Sequence, residues 1–327
     1  MNRRTLQLSL LAAACTLLVP LGASAQTTKL TLGHGAAPGN PRHEASVRFA
    51  ELLKAKTGGR IEVQVAHSAQ LGDDAAMVTA LRTGALDMSA NSQGAVANAV
   101  PEYAAFGMPF MFSSAAQAFK VLDGPVGKEL ADRSAEKGMV VLGYWDNGIR
   151  QMTNSKRPIV KAEDLKGLKM RTPPDATLVD IMQALGADAQ QIKFSELYVA
   201  LQQGVVDGQE NPLANIHASK LYEVQKHLAM TNHQFQMTPL LMSKRTWDRL
   251  SAADRKAVQD AASEATTLQR RLSAEADEKL LADLKAQGVQ VTTVDKNAFA
   301  KATEKVTEKW LNGPIGPYLK KVVAAAR

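Results

Sequence analysis

Polar and apolar positions along the chain switch repeatedly between two periods. Lys29-Leu30-Thr31-Leu32-Gly33 alternates as a short strand does, whereas His43 to Lys56 sets Val47, Phe49, Leu52 and Leu53 at mostly helical spacing before Gly58-Gly59. Ile61 to Ala66 reads as a strand, Asp73 to Thr83 as a helix stopping before Gly84, and Leu86-Asp87-Met88 as a short strand. Helical spacing covers 115–121 and 126–137, and Met139 to Trp145 is apolar enough for a buried strand. A second block repeats the alternation. It holds a strand from Lys169 to Thr172 closed by Pro173-Pro174, and a helix from Asp175 to Leu185 with Gly186 just past its end. A helix from Ser195 to Gln203 with Ser195 as its N-cap follows, then a short strand at Val205-Val206. Strand character returns from Pro239 to Met242. Alternation of this kind predicts an α/β fold with mostly parallel sheets.

The longest periodic run is Ser251 to Gln287. Val258, Ala261, Ala265, Leu268, Leu272, Leu280 and Leu284 keep to one face with one gap, Ser251 to Asp254 resembles a capping box, and Gly288 ends the run. At about 1.5 Å per residue the helix extends roughly 55 Å, more than a small domain is wide. It is therefore expected to cross two lobes; two helices with a kink near Ser273 are the alternative. The expected architecture is a two-lobed, hinged α/β binding protein. Lobe I is expected to take 26–147 plus about 237–272, and lobe II 148–236 plus about 273–327. Ligands in such sheets sit outside the carboxyl ends of the strands, here in the cleft between the lobes.

Composition narrows the chemistry. Of 327 residues only Cys15 is a cysteine. It lies in a segment with a basic start (Arg3, Arg4), an apolar stretch and the small-residue close Ala23-Ser24-Ala25, which reads as an export signal spanning residues 1–25. Cleavage after Ala25 leaves no cysteine, so disulfides, thiolate catalysis and Cys-based metal sites are excluded. Lipidation of Cys15 is the weaker alternative. The formal net charge of +7 loses Arg3 and Arg4 with the leader, and the remainder is mixed, without a polybasic block, which argues against nucleic acid. No later run approaches the roughly 18 apolar residues of a membrane span. Six dispersed histidines predict no metal centre, and no cofactor is expected. Neither a Gly-x-Ser-x-Gly elbow nor a His-Glu-x-x-His pair is present. Gly33-His34-Gly35 with Gly39 falls short of a dinucleotide loop, because the third glycine comes one residue late. A secreted α/β enzyme acting on an organic acid is the reading from a different class.

Three segments carry a resemblance: Trp145 to Asn154, Asp164 to Pro173, and Ala200 to Pro212. With Gln70 to Asp74, Pro109-Phe110 and Leu221 to Val224, they resemble the solute-binding proteins of tripartite ATP-independent periplasmic (TRAP) transporters, the DctP-like family. The resemblance runs in order over nearly the whole chain after the leader. It implies a periplasmic-binding-protein-like fold, a periplasmic monomer, a small organic acid as ligand, and delivery to a small and a large integral membrane subunit. Arg171 ends a strand just before Pro173, and its planar guanidinium suits a carboxylate. The resemblance makes it the carboxylate clamp, with Arg150 as a second donor, Asn211 against the ligand and Phe194 packed on it. For each, a structural role competes: an internal acid for Arg171, a hinge salt bridge for Arg150, a helix N-cap for Asn211, the core for Phe194. Asp74 is expected to accept from a ligand hydroxyl. Asn91, Gln93, Asp146, Asn147 and His34 form a polar set suited to hydroxyls, and Gln236 lies near a predicted crossing. Ser92 stands where sialic-acid-binding relatives have glutamate, which argues against sialic acid. Two arginines among amides favour a hydroxylated acid, with a hexuronate such as glucuronate or galacturonate foremost and a C4-dicarboxylate or a 2-oxo or aromatic acid as alternative.

Overall fold

A computed structural model describes residues 27–327. The leader and Cys15 lie outside the described residues. In chain order the strands are β1 (Thr28–His34), β2 (Ile61–Ala66), β3 (Met88–Ala90), β4 (Met139–Ile149), β5 (Gln151–Asn154), β6 (Lys169–Thr172), β7 (Asp188–Gln191), β8 (Gly208–Asn211), β9 (His227–Met230), β10 (Phe235–Ser243) and β11 (Gln290–Thr293). They form two sheets, ordered β2-β1-β3-β10-β4 and β11-β9-β5-β8-β6-β7. In the first, β1 runs parallel to β2 and β3. In the second, β6 runs parallel to β7 and β8. The carboxyl ends of β1, β3, β6 and β8 therefore converge on one gap between the sheets, the place where open α/β sheets take ligands.

Each sheet is covered on both faces. Met77, Tyr103, Phe106 and Phe119 pack on one face of the first sheet, and Phe49, Leu53 and Val258 on the other. The second sheet is held between a cluster with Leu178, Ile181 and Phe299 and a cluster with Leu197, Leu201 and Leu284. The chain crosses between sheets with little slack: only Arg150 separates β4 from β5, and its amide donates to the Gln234 carbonyl beside the return crossing at 2.8 Å.

The run at Ser251 forms one helix, Ala252–Ala286, of 35 residues, capped where Ser251 Oγ accepts from the Asp254 amide at 3.1 Å. It contains neither Gly nor Pro, so nothing breaks the ladder at Ser273. Ala261, Ala262 and Ala265 let its first half lie close on the core under β1 and β4, while Leu284 is buried in the second lobe's core. Between these anchors Gln269 clasps the hinge strand: its Oε1 accepts from the Asp146 amide at 2.7 Å and its Nε2 donates to the Asp146 carbonyl at 2.8 Å.

Several expectations are corrected. The last helix, Gly316–Ala326, buries Tyr318, Leu319 and Val322 in the first sheet's core, so it packs with lobe I rather than with the rest of 273–327. Val205-Val206 is a bend after the turn at Gln203-Gly204, and the strand there is β8, Gly208–Asn211, whose Gln209, Glu210 and Asn211 are buried. A buried polar strand carries no apolar signal. Ser195 lies inside a 3-10 turn, Phe194–Glu196, instead of capping a helix. The short strand expected at Leu86 begins at Met88.

Candidate functional site

The converging strand ends and the helices that follow them enclose a narrow cleft with a cavity volume of about 40 Å³. From lobe I it is lined by Gly35, Arg42, Asp74, Ser92 and Asn147, and from lobe II by Arg171, Pro173, Phe194, Asn211 and Asn215, with Arg150 and Gln236 at its floor. The lobes touch across its mouth. Lys193 of lobe II meets Asp73 of lobe I at 3.1 Å, and Asn40 Nδ2 donates to Asn215 Oδ1 at 2.9 Å. Gly94 lies so close to lobe II that a Cβ built on it would come within 2.5 Å of the Asp175 Cβ.

Arg171 is buried at the end of β6. Its Nε donates to the Ile192 carbonyl at 2.8 Å, its guanidinium carbon lies 5.8 Å from the Phe194 ring centroid, and its Nη2 has no partner. No carboxylate comes within 4.0 Å of it among the described residues. Burial pulls its pKa down to about 9, opposed by Glu210 and Asp74 and reinforced by Arg150. A buried guanidinium without an acid is costly to the fold unless an anion completes it.

Arg150 has the opposite environment. Glu210 accepts from its Nε and, at 2.8 Å, from its Nη2; Gln236 Oε1 accepts from Nη1 at 2.8 Å, and Asn211 Oδ1 from Nη2 at 3.2 Å. Arg150 is thus the hinge salt bridge that competed with its ligand role, although it borders the cleft. Burial pushes the Glu210 carboxyl up, but Arg150 and His233, whose Nε2 lies 3.2 Å away, hold it below its ordinary value.

A family model described as bacterial extracellular solute-binding protein, family 7 (DctP), matches residues 32–313. The chain belongs to this family. It is 56% identical to protein y4mM of Sinorhizobium fredii over 86% of its own length and 52% of that protein's. Its fold matches that of the sugar acid binding protein DctPAm from Advenella mimigardefordensis, solved with galactonate, with a TM-score of 0.90, 32% identity, and coverage of 92% of this chain and 98% of the other. A TRAP solute-binding protein from Polaromonas sp. JS666, solved with D-erythronate, matches with a TM-score of 0.88 and 35% identity over 91% and 98% of the two chains.

In this solute-binding protein, which is not an enzyme, Arg171, Arg150, Asn211, Asp74, Asn147, Phe194 and Gln236 all border the cleft. Asn211 does not cap the helix that begins at Leu213; its Oδ1 accepts from Arg150 and from Asn215 Nδ2, and its Nδ2 donates to Gln209. Asp74 Oδ2 accepts from the Ser92 amide at 2.8 Å and from Ser92 Oγ at 2.6 Å, so part of its capacity is already used. Four expected residues do not line the cleft. His34 is fully buried, its Nδ1 accepting from the Ala36 amide and its Nε2 facing His43; burial, helped by Arg42, His43 and His67, lowers its pKa to about 3. Asn91 turns back to Ser89 and the Asp74 carbonyl. Gln93 Oε1 accepts from the Met237 amide. Asp146 faces the opposite side of the hinge, because its neighbour on the strand, Asn147, takes the cleft side. The residues missed were Arg42 and Asn215. Asn40 before Pro41 was the available signal, since it caps the helix Pro41–Lys56 and so places Arg42 in the first turn facing the gap.

Asp146 carries a pH signature. Burial, with Asp277 on the long helix adding to it, pushes its carboxyl up to about 7, against a smaller opposing pull from the Gly148 amide and Arg270. The folded form therefore holds a proton that the unfolded chain releases near pH 4, and stability falls as pH rises from about 4 to about 7. Urea unfolding at pH 5 and pH 8 is expected to differ by roughly 2.5 kcal/mol through this group. Asp146→Asn should remove that slope, and an unchanged slope would rule the assignment out.

Proposed function

We propose that this chain is the periplasmic receptor of a TRAP transporter and takes a hydroxylated sugar acid, a hexuronate foremost, between its lobes. Arg171 supports the reading most directly: a buried guanidinium with an open Nη2 and no acid lacks only a carboxylate. Phe194 and Pro173 offer an apolar wall for a sugar face, and Asn147, Asn211, Asn215 and Gln236 offer amides for hydroxyls. The galactonate and D-erythronate complexes of similar proteins favour the same ligand class. The closed form then delivers the acid to a small and a large membrane subunit after export and cleavage behind Ala25. A C4-dicarboxylate is the second reading, favoured by Arg42, a further buried guanidinium on the opposite wall.

A thermal-shift screen decides between them. D-galacturonate, D-glucuronate, D-galactonate, succinate and pyruvate are each added at about 100 times a trial dissociation constant, which stabilises a specific receptor by about 2.7 kcal/mol. Sugar acids should raise the melting temperature and be recovered chemically unchanged. A shift with succinate alone moves the assignment to dicarboxylates, and turnover of any acid contradicts a receptor.

A further inference from the structure

We infer that Arg42 is the lobe I half of the ligand clamp and that the lobes latch only on an acid offering it a second oxygen. The inference rests on the receptor reading above and assigns a residue that neither sequence motif nor family resemblance picked out.

Arg42 is almost wholly buried, at 5% exposure, yet it lines the cleft. Its Nη2 donates to Asn147 Oδ1 at 2.6 Å, while its buried Nε has no partner. No carboxylate lies within 4.0 Å of it among the described residues, and Asp74 attracts it only from farther off. Two guanidiniums thus face one gap from opposite lobes, each with an unused donor. One carboxylate satisfies Arg171; the Nε of Arg42 is left for a hydroxyl, ring oxygen or second carboxylate at the other end of the ligand.

A relay of side-chain hydrogen bonds ties Arg42 to closure. Asn147 Oδ1, which receives Arg42, also receives Asn215 Nδ2 from lobe II at 3.3 Å. Asn215 in turn donates to Asn211 Oδ1 at 3.1 Å, the oxygen that Arg150 also reaches at the hinge. Asn40, the cap of the Arg42 helix, holds Asn215 from the other side. With its Nε satisfied, Arg42 holds Asn147 in the orientation that accepts from Asn215. Without that oxygen the buried donor favours opening to water, and the latch loses its lobe I anchor. Arg171 then sets that the ligand is an acid, and Arg42 sets which acids close the receptor.

The test uses the leaderless protein, whose lack of cysteine allows dye labelling at Ala55→Cys and Ala184→Cys, two exposed helix positions, one on each lobe. Calorimetry and interlobe energy transfer are read with D-galacturonate and with propionate, which has nothing for Arg42. Galacturonate should close the wild type and propionate should not. Arg42→Met should weaken galacturonate roughly 10- to 100-fold and abolish its closure signal, leaving propionate unchanged; Arg42→Lys, a second variant should Met disturb folding, should keep acid binding but recover little closure. Unaltered galacturonate affinity and closure in either variant overturn the inference. Galacturonate binding that survives Arg171→Met instead overturns the Arg171 clamp on which the proposed function rests. If the wild type prefers succinate, the same comparison on succinate decides on Arg42, since its second carboxylate supplies the oxygen.

Discussion

Arg171→Met should sharply weaken acid binding without weakening the empty protein. The carboxylate of a bound acid would face a desolvated wall lacking its charged partner, a loss of about 2–5 kcal/mol, or roughly 30- to several-thousand-fold in affinity. Calorimetric titration with whichever acid the screen selects measures it. The unliganded variant should unfold in urea at the same midpoint as the wild type or higher, because methionine removes a buried charge that no protein acid offsets. This pairing of lost affinity with retained stability separates a ligand clamp from a structural arginine, whose removal lowers both. With a pKa near 9, Arg171 is charged at neutral pH, and acid binding should fade as pH climbs past that value. Full affinity in the Met variant sinks the clamp.

Glu210→Gln should act in reverse. Glu210 is fully buried and is the only carboxylate within 4.0 Å of Arg150 among the described residues, and His233 leans on the same oxygen. Removing its charge leaves Arg150 uncompensated between the two crossings, which costs about 3–5 kcal/mol of folding stability. Urea unfolding should register that loss, and a second change, Arg150→Met, should return part of it, since replacing both partners is far cheaper than breaking the pair. A loss below about 1 kcal/mol would mean that the pair is open to water and contributes little to the hinge.

The two arginines show where sequence reading reached its limit. Both Arg150 and Arg171 sit in motifs that the resemblance points at the ligand, Arg171 as the clamp and Arg150 as a second donor with a hinge salt bridge in competition. Only the arrival of Glu210 from a strand sixty residues on, through the pairing of β5 with β8, makes Arg150 a hinge residue and leaves Arg171 open. Asp146 and Asn147 are neighbours with similar polar character, yet the pleat of β4 sends one behind the hinge and the other into the cleft.

Local pattern by itself determined what local physics controls. The helix Ala252–Ala286 follows from its apolar face, its Ser251 cap and its freedom from Gly and Pro, and its length alone required two lobes. The strands that bury apolar side chains, such as β2 and β4, were legible for the same reason. Tertiary structure decided the rest: that the polar strand β8 is buried, that the last helix returns to the first lobe, and that Arg42 crosses from a helix start into the cleft. Burial of a polar group is stabilised by partners distant in the chain, and a chain read residue by residue records the group but not the partner.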